Sequence, residues 1–483
     1  MSARNAAKIT VIGWDGGALP ARARAALAEA TLVVGGARHL DALGLRADAG
    51  VDDSRVTITL GPLAPALAAL AAHDGPAAVL ASGDPGFFGV LRALTEAGLD
   101  PDRVVPATSS VATAFARAGV AWDDALVVSA HGSGDGRDLR RAANVCRAHA
   151  KVAVLTAPGA GPGRLAVELL HGGLGVQRIL VVAQCLDNGA DTEPVINRPN
   201  DFNSPPDNHR TSGNPEGPAG DQGRAVGVGV PVSAAERVEF LTLGDAAARD
   251  GFAEPNVVLC LDPRQVAVPG HGSLPQAAGG GRPDTRRAGG KRWLAGWPGA
   301  CGGWALGEES FAHRDGQITK AEVRALVLAR LAPRVGDLVW DLGAGSGSVG
   351  IECARLGAAV VAVEQDADAC ARLAENAEAH GVQVAVVRGR APGVLTDLPW
   401  PDAVFVGGGG IDVVRGALEH RPTRVVVALA GVERVGEVAR SLEADGRAVG
   451  GVLSQSSRMV PLPDGTHRFA ALNPVYIVWG SAA

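Results

Sequence analysis

The sequence predicts an α/β protein made of two open-sheet halves, on three observations. Short β-branched runs alternate with Ala- and Leu-rich stretches of helical length, the mark of βαβ units around a mostly parallel sheet. Glycine-rich turns follow several of those runs directly, at strand ends where open α/β sheets bind ligands. Two stretches rich in Pro, Gly, Asp, Asn and Arg, 188–233 and 263–303, interrupt an otherwise periodic chain.

The elements follow in order. KITVIG, TLVVGG and AAVLASG read as strands separated by the helices ARARAALAEA and, later, GFFGVLRALTEAG. KVAVLTAPG, RLAVELLHGG and QRILVVAQCL repeat the pattern, which fails from 188 to 233, expected to be a loop or disordered insertion. RVEFLTLGDAAARDGFAEPNVVLCLDP then gives strand, helix and strand before the second poor stretch, expected to be a flexible linker. Beyond it, ITKAEVRALVLARL is an amphipathic helix with Thr319 as its expected N-cap. DLVWDLG, AAVVAVE, VQVAVVRG, DAVFVGG and RVVVALA are successive strands, and the last 35 or so residues close as an antiparallel hairpin. The expected organisation is a first domain at 1–262, a linker at 263–303 and a second domain at 304–483. The length agrees, since 483 residues exceed the roughly 100–200 of one domain.

Composition narrows the functional class. With 45 basic and 51 acidic residues the formal charge is −6, which argues against a constitutive grip on nucleic acid or an anionic membrane surface. Six cysteines (146, 185, 260, 301, 353 and 370) form no CxxC pair or metal-ligand cluster, so reduced thiols and no bound metal are expected. No apolar run approaches 18 residues and the first one is short and ends in glycine, so the expectation is a cytoplasmic chain with no membrane partner. An anionic ligand must therefore be met by local basic residues.

The sharpest motif is VWDLGAGSGSVGIECARLG, an apolar strand ending at Asp341, a turn through Gly343, Ala344, Gly345, Ser346 and Gly347, and a helix. Glycine suits such a turn because positive φ and close backbone approach both exclude a Cβ. Glu364 ends the next strand, where a carboxylate can accept ribose hydroxyls. The D-x-G-x-G-x-G spacing resembles that of a class I S-adenosylmethionine-dependent methyltransferase with a Rossmann-like fold. That resemblance implies Asp341 near the cationic methionine portion of the cofactor, Glu364 on the ribose, an adenine contact at Gly389 through Ala391, and Thr319 near the cofactor. An acid at the strand end would repel a dinucleotide diphosphate.

In the first half, GDPGFFG (Gly83, Asp84, Pro85) follows one strand and PATSSVATAFARAG (Ser109, Ser110, Val111) follows another, while the opening VIGWDGG places Gly13 at the end of the first. These segments, with TLVVGGARHL and LTAPGAGP, resemble the tetrapyrrole methylase family. It is a different S-adenosylmethionine-binding fold, in which two α/β subdomains clasp cofactor and substrate, largely through backbone groups.

A tetrapyrrole methylase half followed by a class I half resembles the fused, decarboxylating C(5,15)-methyltransferases of cobalamin biosynthesis, over nearly the whole chain. The resemblance implies two S-adenosylmethionine sites, one per domain, and a reduced precorrin-6 substrate. It further implies methylation at carbon 5 by the first half, methylation at carbon 15 with loss of the ring C acetate carboxyl by the second, precorrin-8 as product, and a homo-oligomer. A nucleophilic enamine carbon needs mainly alignment and exclusion of water, so no catalytic residue is singled out. His131, His313, Arg314, Lys320 and Arg458 are the candidates for holding the substrate, the basic ones by pairing with its carboxylates. Two competing readings are a dinucleotide-dependent oxidoreductase and a fusion with only one active methyltransferase half.

Overall fold

The computed structural model describes residues 8–45, 55–131, 136–171, 177–185, 195–197, 236–249, 251–268, 295–299, 302–314 and 316–482. Among the described residues, three large sheets and one two-stranded ribbon carry the chain.

The first sheet forms from β1 (Ile9–Trp14), β2 (Leu32–Gly35), β3 (Val56–Thr59), β4 (Ala77–Ser82) and β5 (Arg103–Val105), in the order β3-β2-β4-β1-β5. All its pairings are parallel. Helices α1 (Ala21–Glu29), α2 (Ala37–Ala42), α3 (Leu63–Ala72) and α4 (Val90–Glu96) connect them. Strands covered on both faces read as continuous apolar runs, and Ile12, Val33, Ala78 and Leu80 are almost wholly buried. Helix α5 (Ser110–Ala118) leads out, started by Ser109 Oγ accepting from Val111 N and stopped by Gly119 in the left-handed region.

The second sheet holds β6 (Leu126–Ser129), β7 (Lys151–Leu155), β8 (Ile179–Gln184), β9 (Val195–Asn197), β10 (Arg237–Thr242) and β11 (Asn256–Leu261) in the order β6-β7-β11-β8-β10-β9, with helices α6 (Arg137–Ala148), α7 (Pro162–Leu170) and α8 (Leu243–Ala248). The expectation of a mostly parallel sheet fails here. β11 runs antiparallel to both β7 and β8, and β10 antiparallel to β8. β9, β10 and β11 thus share one sense, opposite to that of β6, β7 and β8, so the chain reverses after β8, and alternation alone does not encode direction. The expected loop at 188–233 also needs correction, because Val195–Asn197 forms an edge strand parallel to β10; its other residues lie outside the described ones. The first core runs past residue 262, since Val266 and Val268 are packed into it.

The third sheet contains β12 (Leu338–Leu342), β13 (Ala359–Glu364), β14 (Ala385–Arg388), β15 (Ala403–Val406), β16 (Arg424–Leu429), β17 (Ala448–Ser454) and β20 (Val475–Ser481), ordered β14-β13-β12-β15-β16-β20-β17. Helices α9 (Ala321–Leu331), α10 (Ser348–Arg355), α11 (Ala367–Ala379), α12 (Ile411–Glu419) and α13 (Glu433–Ala444) cover it. The first five strands in that order pair parallel, and β20 is antiparallel to both neighbours. The closing hairpin is thus two structures. β17 and β20 complete this sheet, whereas β18 (Ser457–Pro461) and β19 (His467–Ala471) form a separate two-stranded ribbon.

The halves meet through buried polar contacts. Asn144 donates to Gly336 O at 3.1 Å, and His149 Nε2 lies 3.3 Å from Gly357 O, with Trp297 packed edge-on against the imidazole. Arg178 and Asp262, both fully buried, pair at 2.9 Å, and Gln383 of the second half accepts from Arg178 and donates to Asp262.

Candidate active site

In the second half the turn after β12 sits where the strand order reverses, with β13 on one side and β15 on the other, the position at which open sheets take ligands. Gly343, Gly345 and Gly347 all have positive φ. A Cβ on Gly343 would lie 3.0 Å from Gly408 N, and one on Gly347 would lie 2.5 Å from Leu373 Cγ, whereas Gly345 faces open space. Packing and conformation therefore explain two of the glycines, and the third leaves room.

Asp341 is buried to 1% exposure. Its Oδ2 accepts from Gly350 N at 2.8 Å, while Oδ1 is buried with no hydrogen-bond partner. Desolvation pushes the carboxyl up to about 7, with nearby Glu364 adding to the rise. A buried acceptor left unmatched is costly unless a ligand supplies the donor, so this atom fits a cationic group. Glu364 accepts from Gly345 N (2.9 Å), Gln365 N (2.8 Å) and Asp366 N (3.0 Å). A carboxylate offers about four lone-pair sites, which leaves Glu364 roughly one for a ribose hydroxyl. Gly389 donates to Glu364 O at 2.9 Å, beside the same strand end, and Ala391 is partly packed into the core.

The stretches 304–314 and 316–320, taken together as one segment, are fastened over this turn by two devices that sequence reading missed. Arg324 and Glu352, both fully buried, pair at 2.8 Å; Glu352 also accepts from Ala305 N and Leu306 N, and Arg324 donates to Thr319 O. Asn376 exchanges two hydrogen bonds with the Ala312 backbone and donates to Ser346 O of the glycine turn. The EVR and IEC triplets, each a charge inside an apolar helix face, are the signal that could have exposed the first pair.

The expected substrate residues separate. His313 lies 2.9 Å from Phe311 O through Nδ1, and Lys320 reaches Gly316 O at 3.4 Å, so both stay on the fastened segment with exposed Arg314. Arg458 is instead committed to two carboxylates, Glu308 and Glu322, and Glu308 is held down to about 2 by that guanidinium. Arg458 thus ties the β18–β19 ribbon to the segment and does not stand ready for a substrate carboxylate. Thr319 is not the N-cap either. Lys320 occupies that position, and because an ammonium cannot accept, Glu308 Oε1 takes the first helical N–H, Ala321 N, at 2.8 Å, while the Thr319 carbonyl accepts from Arg324.

In the first half, Gly13 explains itself. A Cβ there would lie 2.3 Å from Gly83 O, 2.8 Å from Pro85 Cδ and 2.9 Å from Ala107 N, so the ends of β1, β4 and β5 converge on a point that excludes a side chain. Asp84 Oδ1 accepts from Gly86 N at 2.8 Å, shaping the turn. Ser109 and Ser110 are half-buried beside it. Val111 offers no side-chain contact to a ligand, being fully buried in the core with its N–H already given to Ser109 Oγ. His131 follows β6 and lines a cavity of about 220 Å³ with Arg38, Thr156, Glu254 and Asn256.

Among the described residues, no group of His, Cys, Asp and Glu is placed to hold a metal ion, and no helix is long and apolar enough to cross a membrane. The five described cysteines are free thiols.

The comparisons with known proteins fall on these two halves. Residues 11–187 match the tetrapyrrole (corrin/porphyrin) methylases and residues 309–476 the precorrin methyltransferase domain. Precorrin-6Y C(5,15)-methyltransferase [decarboxylating] of Sinorhizobium sp. is 34% identical over 425 residues, 84% of this chain and 80% of that protein. The same enzyme of Mycobacterium tuberculosis is 47% identical over 108 residues, 22% of this chain and 27% of its own. The solved C-terminal domain of precorrin-6Y C5,15-methyltransferase from Rhodobacter capsulatus aligns at 35% identity over 37% of this chain and 97% of its own, with a TM-score of 0.34.

A tetrapyrrole methylase domain joined to a precorrin methyltransferase domain defines a fused methyltransferase whose donor is S-adenosylmethionine. The chain belongs to the precorrin-6Y C(5,15)-methyltransferase (decarboxylating) family. It is an enzyme of cobalamin biosynthesis, and the oxidoreductase reading falls with that membership.

Proposed function

We propose that each half holds its own S-adenosylmethionine and that the two act on one reduced precorrin-6. The donor supplies an electrophilic methyl group in both. In the second half, Asp341, the open turn at Gly345, and Glu364 would hold it. In the first, the convergence at Gly13 with the loops from Gly83 and Ser109 would do so. Assignment of carbon 5 to the first half, and of carbon 15 with loss of the ring C acetate carboxyl to the second, rests on the resemblance of the two halves to the fused family. Precorrin-8 is the product.

One observation carries this reading, the buried and unmatched Oδ1 of Asp341, which asks for a cation where a dinucleotide would bring a diphosphate. His313, Arg314 and Lys320, on the segment fastened over the turn, are proposed to meet substrate carboxylates. We further propose a cytoplasmic homo-oligomer; exposed Met459 and Phe469, paired across the β18–β19 ribbon, support self-association.

The test is incubation of the full chain with reduced precorrin-6 and methyl-labelled S-adenosylmethionine, followed by mass analysis. Gain of two labelled methyl groups and loss of one carbon dioxide is expected. A product with a single methyl would leave only one half active.

A further inference from the structure

We propose that His131 accepts the proton released at the carbon methylated in the first half, with Ser129 positioning it and Glu254 sharing its cavity as a favouring negative charge; the inference rests on reading that half as a methyl-transfer site.

The cavity lies between the carboxyl edges of the first and second sheets. Arg38 comes from the first, and it donates to Ser82 Oγ at 2.5 Å, one residue before the Gly83 turn that converges on Gly13. The remaining wall comes from the second sheet, with His131 after β6, Thr156 after β7, and Glu254 and Asn256 leading into β11. Thr156 Oγ1, 2.6 Å from both Asn256 O and Oδ1, locks that wall. The imidazole therefore shares a cavity with Glu254 and with Arg38, and Arg38 is anchored one residue before the turn that the donor would occupy.

The ring is oriented from one side. His131 N donates to Ser129 Oγ at 3.2 Å, and the same oxygen lies 3.3 Å from Nδ1. In the tautomer required, Nδ1–H donates to that oxygen and Nε2 keeps its lone pair. Nε2 makes no hydrogen bond among the described residues.

The chemistry balances without another reactant. A meso carbon that has received a methyl still carries its hydrogen, and the macrocycle has gained one positive charge. The C–H bond breaks, its electron pair stays in the macrocycle to restore conjugation and cancel that charge, and the proton passes to Nε2. The imidazolium then releases it to water. Burial lowers the His131 pKa from 6.5 and Glu254 opposes the fall, so the ring is neutral at pH 7.5 yet able to take a proton. Glu254 and Arg38 are the charged groups sharing the cavity with it.

The experiment uses the full chain with reduced precorrin-6 and S-adenosylmethionine. His131→Ala should slow methylation at carbon 5 by about 10²- to 10⁴-fold, with methylation at carbon 15 and carbon dioxide loss unchanged and with partial rescue by added imidazole. Both donor sites should still fill with S-adenosylhomocysteine. In the native chain without donor, the precorrin alone should protect His131 from acylation by diethyl pyrocarbonate. The acid limb of the carbon 5 rate should lie below pH 6.5 and move lower in Glu254→Gln, which removes the charge that favours the imidazolium. Carbon 5 methylation within about twofold of native in His131→Ala, or a raised KM with kcat unchanged, overturns the proposal. A native chain that adds no methyl at carbon 5 while remaining active at carbon 15 overturns the reading of the first half itself.

Discussion

Gly350 N donates to Asp341 Oδ2 at 2.8 Å and leaves Oδ1 of the same carboxylate buried and unmatched. The backbone of α10 thereby fixes the acid at the end of β12 while one oxygen stays available. The carboxyl is raised from 3.8 to about 7, so its neutral form is favoured in the folded chain, and the stability this gives is full below pH 4 and lost as pH rises through 7. At about 1.4 kcal/mol per unit, up to roughly 4 kcal/mol is at stake. Asp341→Asn should therefore raise the unfolding midpoint of the ligand-free chain at pH 8 and leave it unchanged at pH 4. It should also weaken donor binding in the second half by roughly 10- to 100-fold. Thermal melts at both pH values, with titration calorimetry, give the answer. Unchanged donor affinity would mean that Oδ1 meets no cation.

Gly13→Ala puts a methyl 2.3 Å from Gly83 O, between backbone segments that cannot both retreat. Donor binding should be lost in the first half alone, and the product should carry one methyl fewer while decarboxylation continues. Mass analysis distinguishes this from a general folding defect, which would remove both activities.

The Arg324–Glu352 pair holds the segment over the glycine turn from a fully buried position. Removing one partner strands a buried charge, so Glu352→Ala should cost about 3–5 kcal/mol in urea unfolding. Faster amide exchange at Ala305 and Leu306, whose N–H groups it accepts, should accompany the loss.

Arg458→Ala tests the correction to the sequence reading. Because Arg458 serves Glu308 and Glu322, its loss should loosen the β18–β19 ribbon, seen as faster amide exchange there, with KM for the precorrin within about twofold of native. A much larger rise in KM would return Arg458 to the substrate.

Fold class and glycine turns were legible in the sequence because they depend on local rules. Gly343 and Gly347 have positive φ and tight neighbours, and the apolar run of β13 is buried up to Glu364. What escaped depends on distant partners. Nothing local distinguishes Arg458, which pairs 136 and 150 residues away, from Lys320, and β11 reads as strand without revealing that it runs against its neighbours. Arg178, Asp262 and Gln383 join the halves across 205 and 121 residues, a separation that periodicity does not sense.

Counting the donor sites tests the central claim most directly. Titration of the full chain with S-adenosylhomocysteine should give two equivalents bound, with Gly13→Ala removing one and Asp341→Asn weakening the other. A single equivalent, abolished by one substitution and indifferent to the other, would contradict the account.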